Sequence, residues 1–346
     1  MRFEAVTIKD IARALGLSTS TVSRALRDSY EISPETKQMV LEYARQINYR
    51  PNPIALSLKE RRSRSIGVII SEIANSLFSQ IISGIESVAY SKGYNVIISQ
   101  SRESYEREVI NVDFLASRSV DGFLLSVSTE TKDFTHITDL FDRGLPIVFV
   151  DRVVESIDTH KVIADNFKGA YDATTHLIKN GYRRIAHLAN SEYLSITKER
   201  VAGYLKALED AGMLLNEGYL QYCLHGGMLY DEVDRAMTSF MELKQAPDAV
   251  FASADKLTTS CMRYCRAKGI EIPDHLAVVG FSNLDLTELL SPSLSVVRQP
   301  AFEMGEVAAE LLIKMIESKR PVTDFETRVL PAELFIRDSS GKKKRK

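Results

Sequence analysis

The chain has 346 residues, 45% hydrophobic and 26% charged, which suits globular protein with two or three cores and excludes a mostly disordered chain. No apolar run approaches the roughly 20 residues of a membrane span, no signal-peptide core opens the sequence, and the three cysteines, Cys223, Cys261 and Cys265, form no CxxC or disulfide framework, so a cytoplasmic protein is expected. The formal charge of −2 hides an asymmetry: residues 1–64 carry 12 Lys and Arg against 7 Asp and Glu, net +5, which leaves −7 on the rest, as in a basic head that approaches phosphate on an acidic body that does not.

The first helix is signalled by Ile8, Ile11, Ala12 and Leu15 at helical spacing behind Thr7, an N-cap whose capping-box partner is Asp10. Gly16 ends it, and Ser18 caps a second helix with Val22, Ala25 and Leu26 on one face. The small Ala12, the turn glycine and Val22 have the spacing of a helix-turn-helix, with a generic αα-hairpin as the alternative. The other face of the second helix favours the former. There Ser18, Thr19, Ser20, Thr21, Ser23 and Arg24 offer short hydrogen-bonding groups and one guanidinium, which reach base edges and phosphates without burying negative charge. Thr7 joins them as a candidate contact. A third helix opens at Ser33-Pro34-Glu35 and runs through Val40, Leu41, Ala44 and Ile47, closing an all-α head over 1–50.

Tyr49-Arg50-Pro51-Asn52-Pro53 then breaks the helix, and Ile54 to Lys59 forms a short apolar-containing patch before Arg61, Arg62 and Arg64. The runs TIKDIARALGLSTSTVSRAL and NYRPNPIALSLK resemble the lactose-repressor (LacI/GalR) family of regulators, and the resemblance extends over the whole chain. It implies a sequence-specific DNA-binding transcription regulator, a repressor of carbohydrate or related catabolic genes, acting as a homodimer on a near-palindromic double-stranded operator. It also implies that 51–64 is a linker and hinge helix whose Asn52, Ala55, Leu58 and Lys59 meet DNA, Leu58 entering between base pairs in the minor groove. A helix of about six residues is too short to hold alone in water. It should fold only beside its dimer mate on DNA, where two apolar wedges partly unstack a base step. A linker packed on the core is the alternative.

From Ser65 onward, strand-like runs alternate with amphipathic helices: Ile66 to Ile70, Val96 to Ile98, Phe123 to Ser126, Ile147 to Val150, Ile185 to Leu188, Ala249 to Ala252 and Ala277 to Val279. Such alternation predicts parallel sheets covered on both faces. The span of 65–340 is too long for one small sheet and predicts two lobes. The resemblance implies a periplasmic-binding-protein-like α/β core of two doubly wound parallel-sheet lobes, lobe one over about 65–160 and 291–321, lobe two over about 161–290 and 322–338. The last helix, from Phe302 to Glu317, is expected to return to lobe one.

Ligands of open α/β sheets sit at the carboxyl ends of strands, hence between the lobes. Phe78, Asp151, Arg152, Arg200 and Asp255 fall at or near such ends. The resemblance implies that Arg200 and Asp255 hold a polar effector, while Phe78 and Met228 offer apolar walls; structural salt bridges and ordinary packing are the alternatives. One departure stands out. Where the family frequently has Asp, this chain reads Val279-Gly280-Phe281-Ser282, so Ser282 replaces a carboxylate that would grip paired hydroxyls. That departure tells against a simple sugar or purine, so the effector is expected to be another sugar-like small molecule or, instead, a regulatory protein.

GxGxxG after a strand, GxxxxGK[ST] and GxSxG are all missing, so no enzyme is expected. Neither a cofactor nor a metal is called for: Cys261 and Cys265 could share a helix face, but no partner sequence completes a site. Residues 341–346, GKKKRK, are expected to be a solvated flexible tail adding nonspecific attraction to DNA.

Overall fold

A computed structural model describes residues 6–49 and 62–343 of the chain. It divides into two compact units, 1–64 and 65–346.

The head holds α1 (Ile8–Leu15), α2 (Thr19–Ala25) and α3 (Pro34–Gln46). The Asp10 carboxylate accepts from both the backbone N–H and the hydroxyl of Thr7, fixing the start of α1. Gly16 ends that helix at φ 66°, a left-handed turn that a β-carbon would strain. Ser18 and Ser33 cap the next two helices through the N–H groups of Thr21 and Thr36. Ile11, Ala12, Val22, Ala25, Val40 and Ala44 form the core, whose three alanines let the helices cross closely.

The body is built on two six-stranded sheets. Lobe one contains β1 (Ser65–Ile70), β2 (Asn95–Gln100), β3 (Phe123–Leu125), β4 (Ile147–Val150) and β5 (Lys161–Ala164). Lobe two contains β6 (Ile185–Ala189), β7 (Leu220–Tyr222), β8 (Ala249–Ala252), β9 (Ala277–Phe281) and β10 (Ser295–Arg298). The chain then gives β11 (Thr327–Leu330) back to lobe one and β12 (Glu333–Phe335) to lobe two. The strand orders are β2-β1-β3-β4-β5-β11, all parallel, and β7-β6-β8-β9-β10-β12, parallel except for the last pair.

Helices cover both faces of each sheet. In lobe one, α4 (Ser76–Ser91) packs on one face and α5 (Tyr105–Ser117) and α6 (Thr135–Asp142) on the other. In lobe two, α7 (Asn166–Lys179) and α8 (Ser195–Asp210) oppose α9 (Tyr230–Glu242) and α10 (Asp255–Ala267), where all three cysteines are buried and unpaired. The last helix, α11 (Ala301–Glu317), does return to lobe one and crosses α4. Glycines set that crossing: a β-carbon at Gly305 would overlap the Ile81 carbonyl, and one at Gly84 the Phe302 carbonyl.

Two expectations need correction. Each lobe boundary lies one strand later than the sequence suggested. β5 pairs with β4 and stays in lobe one, β10 pairs with β9 and stays in lobe two, and β11 pairs with β5 and stays in lobe one. Each is kept by the hydrogen bonds of the sheet it leaves, so the three crossings follow the strands, near Asp165, Gln299 and Pro331. Nor is the tail free from residue 341. Lys343 donates its backbone N–H to the Asn180 carbonyl and pairs its ammonium with Asp248 at 2.7 Å, while the Tyr182 hydroxyl donates to the Gly341 carbonyl. The nearly buried Asp248 carboxylate, which also takes the N–H groups of Arg183 and Arg184, provides the anchor. No helix among the described residues is long and apolar enough to cross a membrane.

Candidate functional site

In the head, Thr19, Ser20 and Arg24 are exposed on α2, and Thr21 and Ser23 half-buried. The Ser18 hydroxyl lies 2.7 and 2.8 Å from those of Ser20 and Thr21, so three hydroxyls share one network at the start of α2. Arg24 is not free: its guanidinium lies 3.1 Å from Glu31. Both partners are about half exposed, and such pairs contribute at most about 1 kcal/mol, so a phosphate can replace Glu31 at small cost. Ser23 is engaged by Arg27, which donates to its carbonyl and hydroxyl. Neither Glu31 nor Arg27 stood out in the sequence. Asn52, Ala55, Leu58 and Lys59 lie outside the described residues.

In the body, a cavity between the lobes is lined by Phe78, Asp151, Arg152, Arg200, Asp255 and Ser282, together with Asn190, Phe281, Asn283 and Gln299. Five of the six residues singled out as effector contacts thus converge. Met228 does not. It is 37% exposed beside a turn in which Gly226 and Gly227 take φ 60° and 83°, and a β-carbon added at Gly226 would lie 2.9 Å from Asn190 Oδ1.

The elements explain the convergence. Asp151 and Arg152 follow β4, and Asp151 is held at φ 65°, a left-handed backbone that aspartate tolerates better than most residues. Arg200 projects from the first half of α8, Asp255 opens α10 after β8, and Ser282 follows β9. Arg152 forms a two-pronged pair with Glu103 at 2.6 and 2.9 Å, both groups almost buried. Burial opposes both charges, yet mutual attraction prevails: the arginine is raised and the glutamate lowered from their ordinary values.

Among the described residues, the hydrogen-bond partners of Arg200 are neutral: the Asn166 and Gln299 side-chain oxygens and the Ser253 carbonyl. Burial pulls its pKa down to about 10, still charged at neutral pH, and its guanidinium carbon sits 3.9 Å over the Phe281 ring. Burial raises Asp255, against the pull of the Ser282 hydroxyl, the Asn283 N–H and Arg200. Polar contacts also join the lobes, from Lys256 to Glu72 at 3.3 Å and from Asn283 Nδ2 to Gln80 Oε1 at 2.8 Å. Sequence reasoning missed Gln80, Asn283 and Gln299, whose uncharged amides give no charge or spacing signal.

Comparison with known proteins covers both halves. Residues 7–52 match the family described as bacterial regulatory proteins, lacI family, and residues 174–340 match the periplasmic binding protein-like domain. The chain is 32% identical over 338 residues to the HTH-type transcriptional repressor PurR of Vibrio campbellii, covering 97% of this chain and 99% of that protein. It is 32% identical over 337 residues to the HTH-type transcriptional repressor CytR of Escherichia coli K12, covering 97% and 96%. Among solved structures, the CelR–cellobiose complex shares 30% identity at a TM-score of 0.71, covering 96% of this chain and 99% of that one. The lac repressor dimer bound to operator and the anti-inducer ONPF has the same fold, with 23% identity, a TM-score of 0.80 and coverage of 98% and 100%.

Proposed function

The chain belongs to the lacI family of bacterial regulatory proteins, and from that premise we propose that this DNA-binding regulator represses carbohydrate or related catabolic genes, with an effector in the interlobe cleft as the switch. The observation that carries this is the convergence of Asp151, Arg200, Asp255 and Ser282 from both lobes on one cavity, in a chain headed by a helix-turn-helix. CelR, which resembles this chain over nearly its whole length, occurs as a cellobiose complex. The site for a sugar-like ligand is modified here at Ser282, where the family frequently has Asp. The protein acts in the cytoplasm and carries no catalytic activity of its own.

It works as a homodimer on a near-palindromic operator. Ile110 and Phe114 lie exposed one turn apart on α5, which packs beside edge strand β2 with its exposed Ile97, and a second copy would cover them. Pairing sets two α2 helices, through Ser18, Thr19, Ser20, Thr21, Ser23 and Arg24, on two half-sites, with Thr7 at the start of α1 beside them. It also brings together two copies of the hinge bearing Asn52, Ala55, Leu58 and Lys59. An effector changes operator affinity only by its differential affinity for the two lobe arrangements, so the two ligands are reciprocally linked.

Selection from a random duplex pool with the purified chain should return an inverted repeat; a pool without any symmetric element overturns the operator assignment. Arg24→Ala should weaken operator binding about tenfold at moderate salt and reduce the salt slope by roughly 0.9, the value of one phosphate contact. Unchanged binding and slope remove Arg24 from the interface. Leu58→Ala should reduce operator bending while sparing dimerisation, and a wild-type bend angle in gel phasing refutes the wedge.

A further inference from the structure

Gln299 sits in the second crossing, between β10 and α11, and both ends of its carboxamide are held. Its Oε1 accepts from Arg200 Nη2 at 3.2 Å, and its Nε2 donates to Asp151 Oδ1 at 2.9 Å. Only one orientation of the amide satisfies both, since a guanidinium only donates and a carboxylate only accepts. Asp151, Arg200 and Gln299 are 2%, 3% and 7% exposed, so the bridge is made where little water competes.

The backbone of Gln299 is clamped as well. Its N–H donates to Asn283 Oδ1 at 3.1 Å and its carbonyl accepts from Asn283 Nδ2 at 2.8 Å, the same nitrogen that reaches Gln80 in lobe one. One amide therefore spans an acidic group of lobe one and a basic group of lobe two. These are the two charged groups, Asp151 and Arg200, best placed to grip an effector from opposite sides of the cleft.

We propose that Gln299 is a built-in stand-in for the ligand, and that the effector which displaces it carries the same edge: a hydrogen-bond acceptor for Arg200 beside an N–H donor for Asp151, as in a carboxamide or a lactam. This rests on the effector-cleft assignment and names its ligand class. A carboxylate would set its second oxygen against Asp151, and an ammonium group would face Arg200. Phe78 and Phe281, both lining the cavity, provide apolar walls for the rest of the molecule.

Chemical rescue in the full-length chain tests this. In Gln299→Gly the missing side chain corresponds to propionamide, which is the probe; propionate and 1,2-propanediol are the comparators. Calorimetry should show the variant melting about 2–4 °C below wild type, with saturating propionamide restoring at least half of the loss and leaving the wild-type melt unmoved. Propionate and the diol should restore none. An equal response of wild type and variant to propionamide, or a diol or propionate effect as large, overturns the proposal.

Should the glycine variant not fold, Gln299→Glu keeps the volume but places a carboxylate against Asp151. It should melt below wild type at neutral pH and recover as the pH approaches the ordinary carboxylate range. A wild-type melt at neutral pH overturns the bridge. Release of operator by small molecules is measured separately on the wild-type chain and its Arg200→Leu variant, so the effector-cleft assignment stands or falls independently.

Discussion

A valine at Gly305 should destabilise the body by about 3 kcal/mol or more. The helices α4 and α11 cross with no space between their backbones: the added β-carbon meets the Ile81 carbonyl, which cannot rotate away as a side chain would. Separating the helices would uncover Phe78, Ile81, Ile85, Met304, Ala308 and Leu312, all buried in one core. It would also move Phe78 and Gln80 at the start of α4, and with them one wall of the cleft. Denaturant unfolding of Gly305→Ala and Gly305→Val should show graded losses, and a valine variant within about 1 kcal/mol of wild type contradicts the close crossing.

Acid should unfold this chain partly through one histidine. His187 is fully buried on β6, stacked against the Tyr204 and Phe251 rings, with Nδ1 bonded to the Phe251 carbonyl and Nε2 without a hydrogen-bond partner among the described residues. Burial holds its pKa down to about 3, against an ordinary value of 6.5. Above pH 6.5 the residue is neutral in both states, and its contribution to stability is fully present. As the pH falls below that, the unfolded chain takes the proton first, and the contribution is lost down to about pH 3. At 1.36 kcal/mol per unit, the loss by pH 4 is on the order of 3 kcal/mol. The stability of His187→Phe should fall less between pH 7 and pH 4, as read by urea unfolding at each pH. Parallel curves for the two proteins exclude His187 as the acid trigger.

The sequence was most legible where structure is local. Thr7 with Asp10, Gly16, Ser18 and Ser33-Pro34 act within one helical turn, and the three head helices start, and the first of them stops, where these residues require. Apolar runs likewise marked the central strands. The assignment of β5, β10 and β11 was illegible because it depends on hydrogen bonds to strands distant in sequence, and β11 itself has three of its four residues exposed, giving no buried face to detect. Position at a strand or helix end, together with the family resemblance, located Phe78, Asp151, Arg200 and Asp255, and the resemblance alone drew notice to Ser282. Met228 resembled a wall residue only until the double-glycine turn was known. Gln299 and Asn283 acquire their roles only when the crossings bring both lobes to them.

The order in which the last strands are laid down has a consequence during synthesis. β11 and β12, separated by two residues, close the outer edge of one sheet each. Until both have left the ribosome, β5 and β10 present open edges, the condition under which strands pair with the wrong neighbour. A message truncated before residue 327 would therefore yield not one good lobe and one bad, but two unfinished ones, and the cell would see the product as a target for chaperones and proteases rather than as half a regulator.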